Sequence, residues 1–187
     1  MTKIHPTYRV EDHQLVGARW TPSPHQSARP DWAEIELVVV HCISLPEGVY
    51  NTGNPERLLL GNLDANSHPD FADLDGVEVS SHVFIDREGR VQQFVAFDQQ
   101  AWHAGVSSWC GRVSCNQFSI GIELEGTDKD VYTDEQMDAL RGVLTALLEY
   151  YPGLAFDHIV GHQDIALGRK SDPGSGFDWG SLFRAIT

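Results

Sequence analysis

Apolar residues recur along the chain in short runs whose length and composition are typical of β-strands. The clearest run, residues 36–41, is rich in valine and apolar on both faces, which is the pattern of a central strand covered on both sides of a sheet. Two further runs alternate around the turn sequence of residues 86–89, which predicts a hairpin. We predict strands at residues 36–41, 79–86, 91–97, 118–125 and 157–162.

A helical repeat follows the fourth predicted strand. Apolar side chains between Met137 and Tyr151 recur at helical spacing and form one stripe, which we interpret as a core-facing surface. Thr133, with Gln136 three residues later, matches a capping box, and Pro152-Gly153 ends the segment. Strands mixed with helices predict an α/β fold, a single domain with a mixed β-sheet flanked by helices.

The remaining segments are richer in proline, glycine and polar residues. We expect a flexible N-terminal segment at residues 1–14 and the folded domain over residues 15–187. The other predicted segments are irregular chain at 20–30, a long loop at 45–70 with a short helix near 56–60, and a terminal helix at 178–186.

The net charge excludes some classes of binding partner, and the number of cysteines indicates the cellular compartment. The formal charge of −14 argues against nucleic-acid and anionic-membrane partners, because both require a cationic face. The apolar runs are too short to cross a bilayer, and the N-terminus lacks the pattern of a secretory signal. With three cysteines, an odd number, we expect reduced thiols at Cys110 and Cys115 and a cytoplasmic protein.

Two histidines and an aspartate are candidate metal ligands. His41 and His162 each end a short apolar strand, and strand ends present side chains to clefts. Asp172 follows in a proline- and glycine-containing loop. Two imidazoles and a carboxylate suit one Zn²⁺ ion and leave a fourth position for water. The spacing alone does not separate this hypothesis from structural histidines.

A glutamate and a lysine are candidate catalytic groups. Glu123 is a carboxylate within an apolar strand, a costly position unless it is paired or functional, so it is a candidate acceptor for a proton from water. Lys170 is two residues before Asp172 and is a candidate for stabilising an oxyanion. An ion pair for Glu123 and a solvated surface position for Lys170 are the alternatives.

Other residues carry weaker signals. His82 and His103 are candidates to line the cleft or to support it from behind. Trp102 is either a platform for a sugar or peptide or a packed core residue. Cys42 follows His41 on an extended strand, so we expect it to point away from His41 as a small buried hydrophobic residue.

Several segments, taken in order, identify a resemblance. The chain is similar to the N-acetylmuramoyl-L-alanine amidases of the type-2 amidase and peptidoglycan-recognition-protein superfamily, and within it to the AmpD-type enzymes of cell-wall recycling. The resemblance extends from about residue 15 to the end. The segments that carry it are residues 38–46, 80–85, 101–105, 119–127, 161–166 and 169–174.

The resemblance implies a function and a set of site residues. The zinc ligands of the family fall on His41, His162 and Asp172, its essential glutamate on Glu123 and its lysine on Lys170. The implied reaction is hydrolysis of the amide between the lactyl group of 1,6-anhydro-N-acetylmuramic acid and L-Ala of the stem peptide. We expect a monomer that binds this cytoplasmic muropeptide. Its candidate contacts are Trp102, His103, Arg112 and His82.

The chain departs from the subgroup at two positions. Glu78 and Ser114 stand where the subgroup has basic residues, and Arg112 is the nearby candidate to replace them in gripping peptide carboxylates. Two alternative functions stay open. One is a module that binds muropeptide without turnover, and the other is an exported amidase that lyses intact wall.

Overall fold

The computed structural model describes residues 8–186, with side chains up to Arg184. The strands are β1 (Arg9–Glu11), β2 (Gln14–Val16), β3 (Arg19–Trp20), β4 (Gln26–Ala28), β5 (Leu37–Ile43), β6 (Val83–Ile85), β7 (Val91–Gln93), β8 (Gln99–Ala101), β9 (Ser108–Trp109), β10 (Arg112–Val113), β11 (Ser119–Glu125) and β12 (Ile159–Gly161). The α-helices are α1 (Asn54–Leu59), α2 (Asp134–Tyr150), α3 (His162–Ile165) and α4 (Trp179–Ile186). Short 3₁₀ turns cover Ala65–Ser67, Pro69–Leu74, Cys115–Gln117 and Phe156–His158.

A six-stranded mixed sheet forms the centre of the fold, in the order β12-β5-β11-β6-β7-β3. The strands β12, β5, β11 and β6 are parallel neighbours, whereas β6 and β7 form the antiparallel hairpin that the sequence predicts. The predicted fold class, a mixed sheet flanked by helices, is confirmed.

Strand β5 is covered on both faces, as its continuous apolar run predicts. Val38 and Val40 belong to the main core, which lies under helix α2. Leu37 and Val39 point the other way into a smaller cluster with Phe118. Alternate residues of a strand point to opposite faces, so β5 is anchored on both sides and its end is held rigidly.

Helix α2 packs its apolar stripe onto the sheet. Leu140, Val143, Leu144 and Leu147 are fully buried. The predicted capping box is present, because Thr133 accepts from the N–H of Gln136 and the Gln136 side chain accepts from the N–H of Thr133. Both bonds satisfy N–H groups at the helix start that have no partner within the helix.

The N-terminal region differs from the sequence-based expectation. Strands β1 and β2 form an antiparallel hairpin, and Val10 and Leu15 on it are buried in the main core. Residues 9–14 are therefore part of the folded domain and not a separate flexible segment. The two apolar side chains lie among polar neighbours, which hides the strand pattern in the sequence. Residues 1–7 lie outside the described part of the chain.

Smaller differences concern the ends of elements. Residues 26–28, expected to be irregular, pair with β8. The last predicted strand is shorter than expected, since a 3₁₀ turn precedes β12 and His162 begins α3 instead of ending the strand. Within residues 8–186, none of the helices combines the length and apolar character that spanning a membrane requires.

Replacing Leu144 should test the packing of α2 on the sheet. Leu144→Ala removes a fully buried side chain, so we expect the free energy of unfolding to fall by about 2–5 kcal/mol. Thr145→Ala, on the exposed side of the same helix, should change it by no more than about 0.5 kcal/mol. Urea unfolding of the metal-free protein measures both values. Equal stability of the two variants would contradict the described packing.

Candidate active site

Three side chains converge where β12 ends beside β5. The Nδ1 atoms of His41 and His162 lie 3.0 Å apart. Oδ2 of Asp172 is 3.2 Å from Nδ1 of His41 and 3.1 Å from Nδ1 of His162. The parallel pairing of β12 with β5 brings the two histidines together, because Gly161 is opposite Val40 and each histidine follows directly in its chain.

The loop that carries Asp172 is fixed from two sides. Its carbonyl accepts from the N–H of Gln163, in α3. Gly174 lies in the left-handed region, with φ of +89°, and packs so closely on the backbone of Asp128 that a Cβ atom there would collide with it. The carboxylate is therefore presented by a short, tightly packed loop.

The Nε2 atoms of His41 and His162 form hydrogen bonds outside the cluster of three side chains. Nε2 of His162 lies 3.2 Å from the carbonyl oxygen of Ala104, which can only accept, so this contact favours the tautomer with the proton on Nε2. Nε2 of His41 lies 2.9 Å from Nδ1 of His103. Which of these two nitrogens donates depends on whether the other nitrogen of His103, Nε2, carries the proton of that ring.

Hydrogen bonds from His103 through Ser119 to Cys115 show which nitrogen of His103 carries the proton. The hydroxyl of Ser119 donates to the carbonyl of Cys115 at 2.6 Å, so its oxygen accepts from Nε2–H of His103 at 3.1 Å. Burial lowers the pKa of His103 well below its usual value, so the ring is neutral with one proton, and Nδ1 accepts. His41 therefore donates from Nε2 and carries a lone pair on Nδ1.

Three lone pairs thus face one another, an arrangement that fits a bound cation. Burial lowers the pKa of His41 to about 4, so this imidazole is neutral at pH 7. Asp172 offers a carboxylate oxygen to the same space. Around a tetrahedral zinc ion with bonds of about 2.0–2.1 Å, ligand atoms are roughly 3.3 Å apart, close to the separations seen here.

Glu123 lies beside this cluster. In the register of β11 with β5 it is opposite His41, and its Oε1 is 4.0 Å from Nδ1 of His41. Burial, followed by the charge of Asp172, raises the pKa of Glu123 to about 8. Its buried Oε2 has no hydrogen-bond partner among the described residues. The side chain is thus placed to exchange a proton with something bound at the cluster.

A cleft of about 600 Å³ is lined by Asp172 and by the segment 42–47 that directly follows His41. Residues 126–128 and 169–171 also line it. Lys170 is exposed in this cleft, and its positive charge acts to lower the pKa of Glu123 against the larger effect of burial. The structure therefore brings together all five residues expected to do chemistry.

Comparison with known proteins identifies the family. The family model for N-acetylmuramoyl-L-alanine amidases matches residues 31–175. The chain belongs to this amidase family. A relative named 1,6-anhydro-N-acetylmuramyl-L-alanine amidase AmpD, from Escherichia coli (strain K12), is 50% identical over 177 residues, 95% of this chain and 96% of that protein. Its namesake from Haemophilus influenzae is 44% identical over 170 residues, 91% of this chain and 92% of that protein.

Solved structures agree with the fold of the amidase. The crystal structure of a selenomethionine derivative of AmpD matches with a TM-score of 0.92 at 47% identity, covering 95% of this chain and 99% of that one. AmiD from E. coli, in complex with the substrate anhydro-N-acetylmuramic acid-L-Ala-D-γ-Glu-L-Lys, matches with a TM-score of 0.60 at 25% identity, covering 95% of this chain and 65% of that one.

The predicted substrate contacts His82 and His103 lie behind the cleft of the amidase. His82 is fully buried. Its Nδ1 accepts from the N–H of Gly121, so Nε2 donates, and the carbonyl of Gln99 lies 3.1 Å away. Both ring nitrogens of His103 are likewise engaged, with His41 and Ser119. Both rings thus use their polar atoms within the protein, which favours the expected alternative that they support the cleft from behind; contact with substrate stays a prediction.

Trp102 and Arg112 also lie apart from the metal ligands. Trp102 stacks on His25 with ring centroids 5.9 Å apart and donates to Ser27 at 3.2 Å. Arg112 forms an ion pair of 2.7 Å with Glu36, the residue that precedes β5. His41 is five residues further along, a distance of about 16 Å in an extended strand. Arg112 is thus engaged by Glu36 in this structure, and its expected role in gripping peptide carboxylates stays a prediction.

One residue of the site escaped the sequence analysis. Arg169 donates from Nη2 to the carbonyls of Ala104 and Val106, each at 2.7 Å, and so supports the carbonyl that holds His162. The sequence signal that could have identified Arg169 is its position directly before Lys170, in a segment that carries the family resemblance.

Cys42 lines the cleft edge, but burial raises the pKa of its thiol to about 12, so it stays protonated and is no nucleophile.

Metal titration should show whether the three groups bind a cation. We expect the wild-type amidase to bind one zinc ion and to gain about 4 kcal/mol of stability at a thousandfold excess over the dissociation constant. Asp172→Ala should abolish binding, because it removes a ligand. Asp70→Ala, which removes an exposed carboxylate from the same cleft, should leave binding unchanged. Calorimetry measures affinity and stoichiometry. Equal binding by both variants would refute the assignment.

Proposed function

We propose that this amidase uses one zinc ion to hydrolyse the bond between the lactyl group of 1,6-anhydro-N-acetylmuramic acid and L-Ala of the stem peptide. The observation that carries the proposal is the convergence of three unprotonated ligand atoms, 3.0–3.2 Å apart, beside a buried carboxylate. The substrate follows from the relatives, six of which bear the name of this activity at 44–50% identity.

The donor set favours zinc. His41 and His162 offer imidazole nitrogen and Asp172 offers carboxylate oxygen, a combination common in catalytic zinc sites that keep one position open. When bound, Zn²⁺ supplies a Lewis acid that acidifies water and polarises the carbonyl to be attacked. The cleft that Asp172 lines gives a substrate access to that open position.

Glu123 moves the proton in this mechanism. It accepts the proton of the attacking water and then delivers it to the amine of the departing L-Ala. A general base works best when its pKa is near the working pH, and burial brings the pKa of Glu123 to about 8. Because its Oε2 is unpartnered among the described residues, the carboxylate is free to bind water.

Lys170 lines the same cleft as Asp172 and stabilises the negative charge that develops there. Addition of water converts the lactyl carbonyl into a tetrahedral oxyanion, and the ammonium group compensates its charge. The side chain is exposed, so it can turn toward the carbonyl when substrate fills the cleft. The cation also opposes the effect of burial on Glu123 and favours its ionised form.

We infer further that the substrate is a soluble muropeptide of the cytoplasm. The carboxylates of the stem peptide must be bound differently from the AmpD-type pattern, because Glu78 and Ser114 are not basic and Arg112 is paired with Glu36. The complete ligand set argues against a module that only binds muropeptide. An exported amidase acting on intact wall is distinguished by assaying sacculi beside the soluble substrate.

Cleavage of a defined anhydro-muropeptide, followed by mass spectrometry, tests the proposal. We expect release of a peptide that begins with L-Ala, abolished by a chelator and restored by zinc. Glu123→Gln should lower the turnover number by roughly 10²–10⁴-fold, since it cannot accept a proton. Lys170→Ala should lower it by about 10²–10³-fold.

The control for the lysine is Lys129→Ala, because Lys129 is exposed and has no role in the mechanism. It should cleave at the wild-type rate. Full turnover by a zinc-loaded Glu123→Gln protein would refute the role of Glu123. Binding of the muropeptide without any cleavage by wild type would favour the binding module.

A further inference from the structure

The outer hydrogen bonds of both metal-ligand histidines lead to two consecutive residues. His103 accepts from Nε2 of His41 through its side chain, and Ala104 accepts from Nε2 of His162 through its carbonyl. These two bonds set which nitrogen of each ring carries the proton and which faces the metal site. A single short segment, residues 103–104, thus orients two ligands that lie 121 residues apart in the chain.

One side chain holds that segment in place. Oδ1 of Asn116 accepts from the N–H of His103 at 3.1 Å and from the N–H of Ala104 at 2.7 Å. Asn116 is itself held by Arg29, whose Nη1 donates to its carbonyl at 3.0 Å and to that of Gln117 at 2.9 Å. The half-buried guanidinium of Arg29 therefore holds Asn116, and the side-chain amide of Asn116 in turn holds residues 103–104.

The ring of His103 is also held from below by strand β11. Ser119, Gly121 and Glu123 lie on one face of this strand, because alternate residues point the same way. Ser119 bonds Nε2 of the ring, and Gly121 provides the space for it, since a Cβ there would lie 2.5–2.7 Å from ring atoms. Strand β11, which contains Glu123, thus also holds His103, the hydrogen-bond partner of His41.

We propose that His103 and Asn116 are positioning residues, which present Nδ1 of His41 and of His162 to the zinc ion and touch neither zinc nor substrate. The inference rests on the zinc function proposed above. Partners of this kind typically change metal affinity by about 10–100-fold when they are removed. Affinity for zinc, and not only activity, is therefore the property that should change.

Two substitutions of His103 separate positioning from packing. In His103→Asn the side-chain oxygen takes the place of Nδ1 and can still accept from His41. In His103→Gln the amide takes the place of Nε2 and keeps only the contact with Ser119. We expect His103→Gln to weaken zinc binding by about 10–100-fold and His103→Asn to weaken it much less. His158→Gln, at the far end of β5 where His158 contacts Glu36, is the matched control and should bind zinc normally.

Substitutions of Asn116 and Gly121 give independent tests. Asn116→Leu removes the shared acceptor and should weaken zinc binding by about tenfold or more, whereas Asn116→Asp keeps an acceptor oxygen and should restore most of it. Gly121→Ala displaces the His103 ring without removing any polar group and should also weaken binding. These variants decide the question if His103→Gln does not fold.

Competition with a chromophoric chelator measures zinc affinity. Urea unfolding of each metal-free variant separately measures its free energy of unfolding. The proposal is overturned if His103→Gln and Asn116→Leu bind zinc as tightly as wild type. It is also overturned if affinity falls equally in His103→Asn and His103→Gln. A wild-type protein that binds no zinc would instead refute the proposed function, and the two failures are thus distinguishable.

Discussion

The parallel pairing of β12, β5 and β11 is the constraint on which the rest of the site depends. It places Glu123 opposite His41 and brings His162 to the same edge of the sheet. A shift of one residue in either register would turn these side chains to the other face. Because β5 is buried on both sides, such a shift would expose apolar residues, so the core itself fixes the catalytic geometry.

The converging lone pairs give this geometry an electrostatic consequence. In the proposed zinc site, His41, His162 and Asp172 each present a ligand atom to the same small space, an arrangement that a bound cation stabilises. The surrounding hydrogen bonds hold the two rings in that arrangement. On this proposal the folded protein maintains a preformed site whose stability is coupled to metal binding.

Much of this arrangement follows from sequence patterns, for physical reasons. Strand β5 and helix α2 have strong periodicity and end signals, and the three residues predicted as ligands lie together in the structure. The hairpin of residues 9–16 was missed because only Val10 and Leu15 carry its apolar pattern. The roles of His103 and Asn116 depend on contacts between distant segments, which no local pattern specifies.

The central claim is that the fold presents the Nδ1 atoms of both histidines and one carboxylate oxygen to a metal ion. A crystal structure of the zinc-loaded protein, with anomalous diffraction at the zinc edge, tests it most directly. We expect one zinc ion bound by Nδ1 of His41, Nδ1 of His162 and the carboxylate of Asp172, with Nε2 of His41 still bonded to His103. Coordination through either Nε2, or zinc bound elsewhere, would contradict the account.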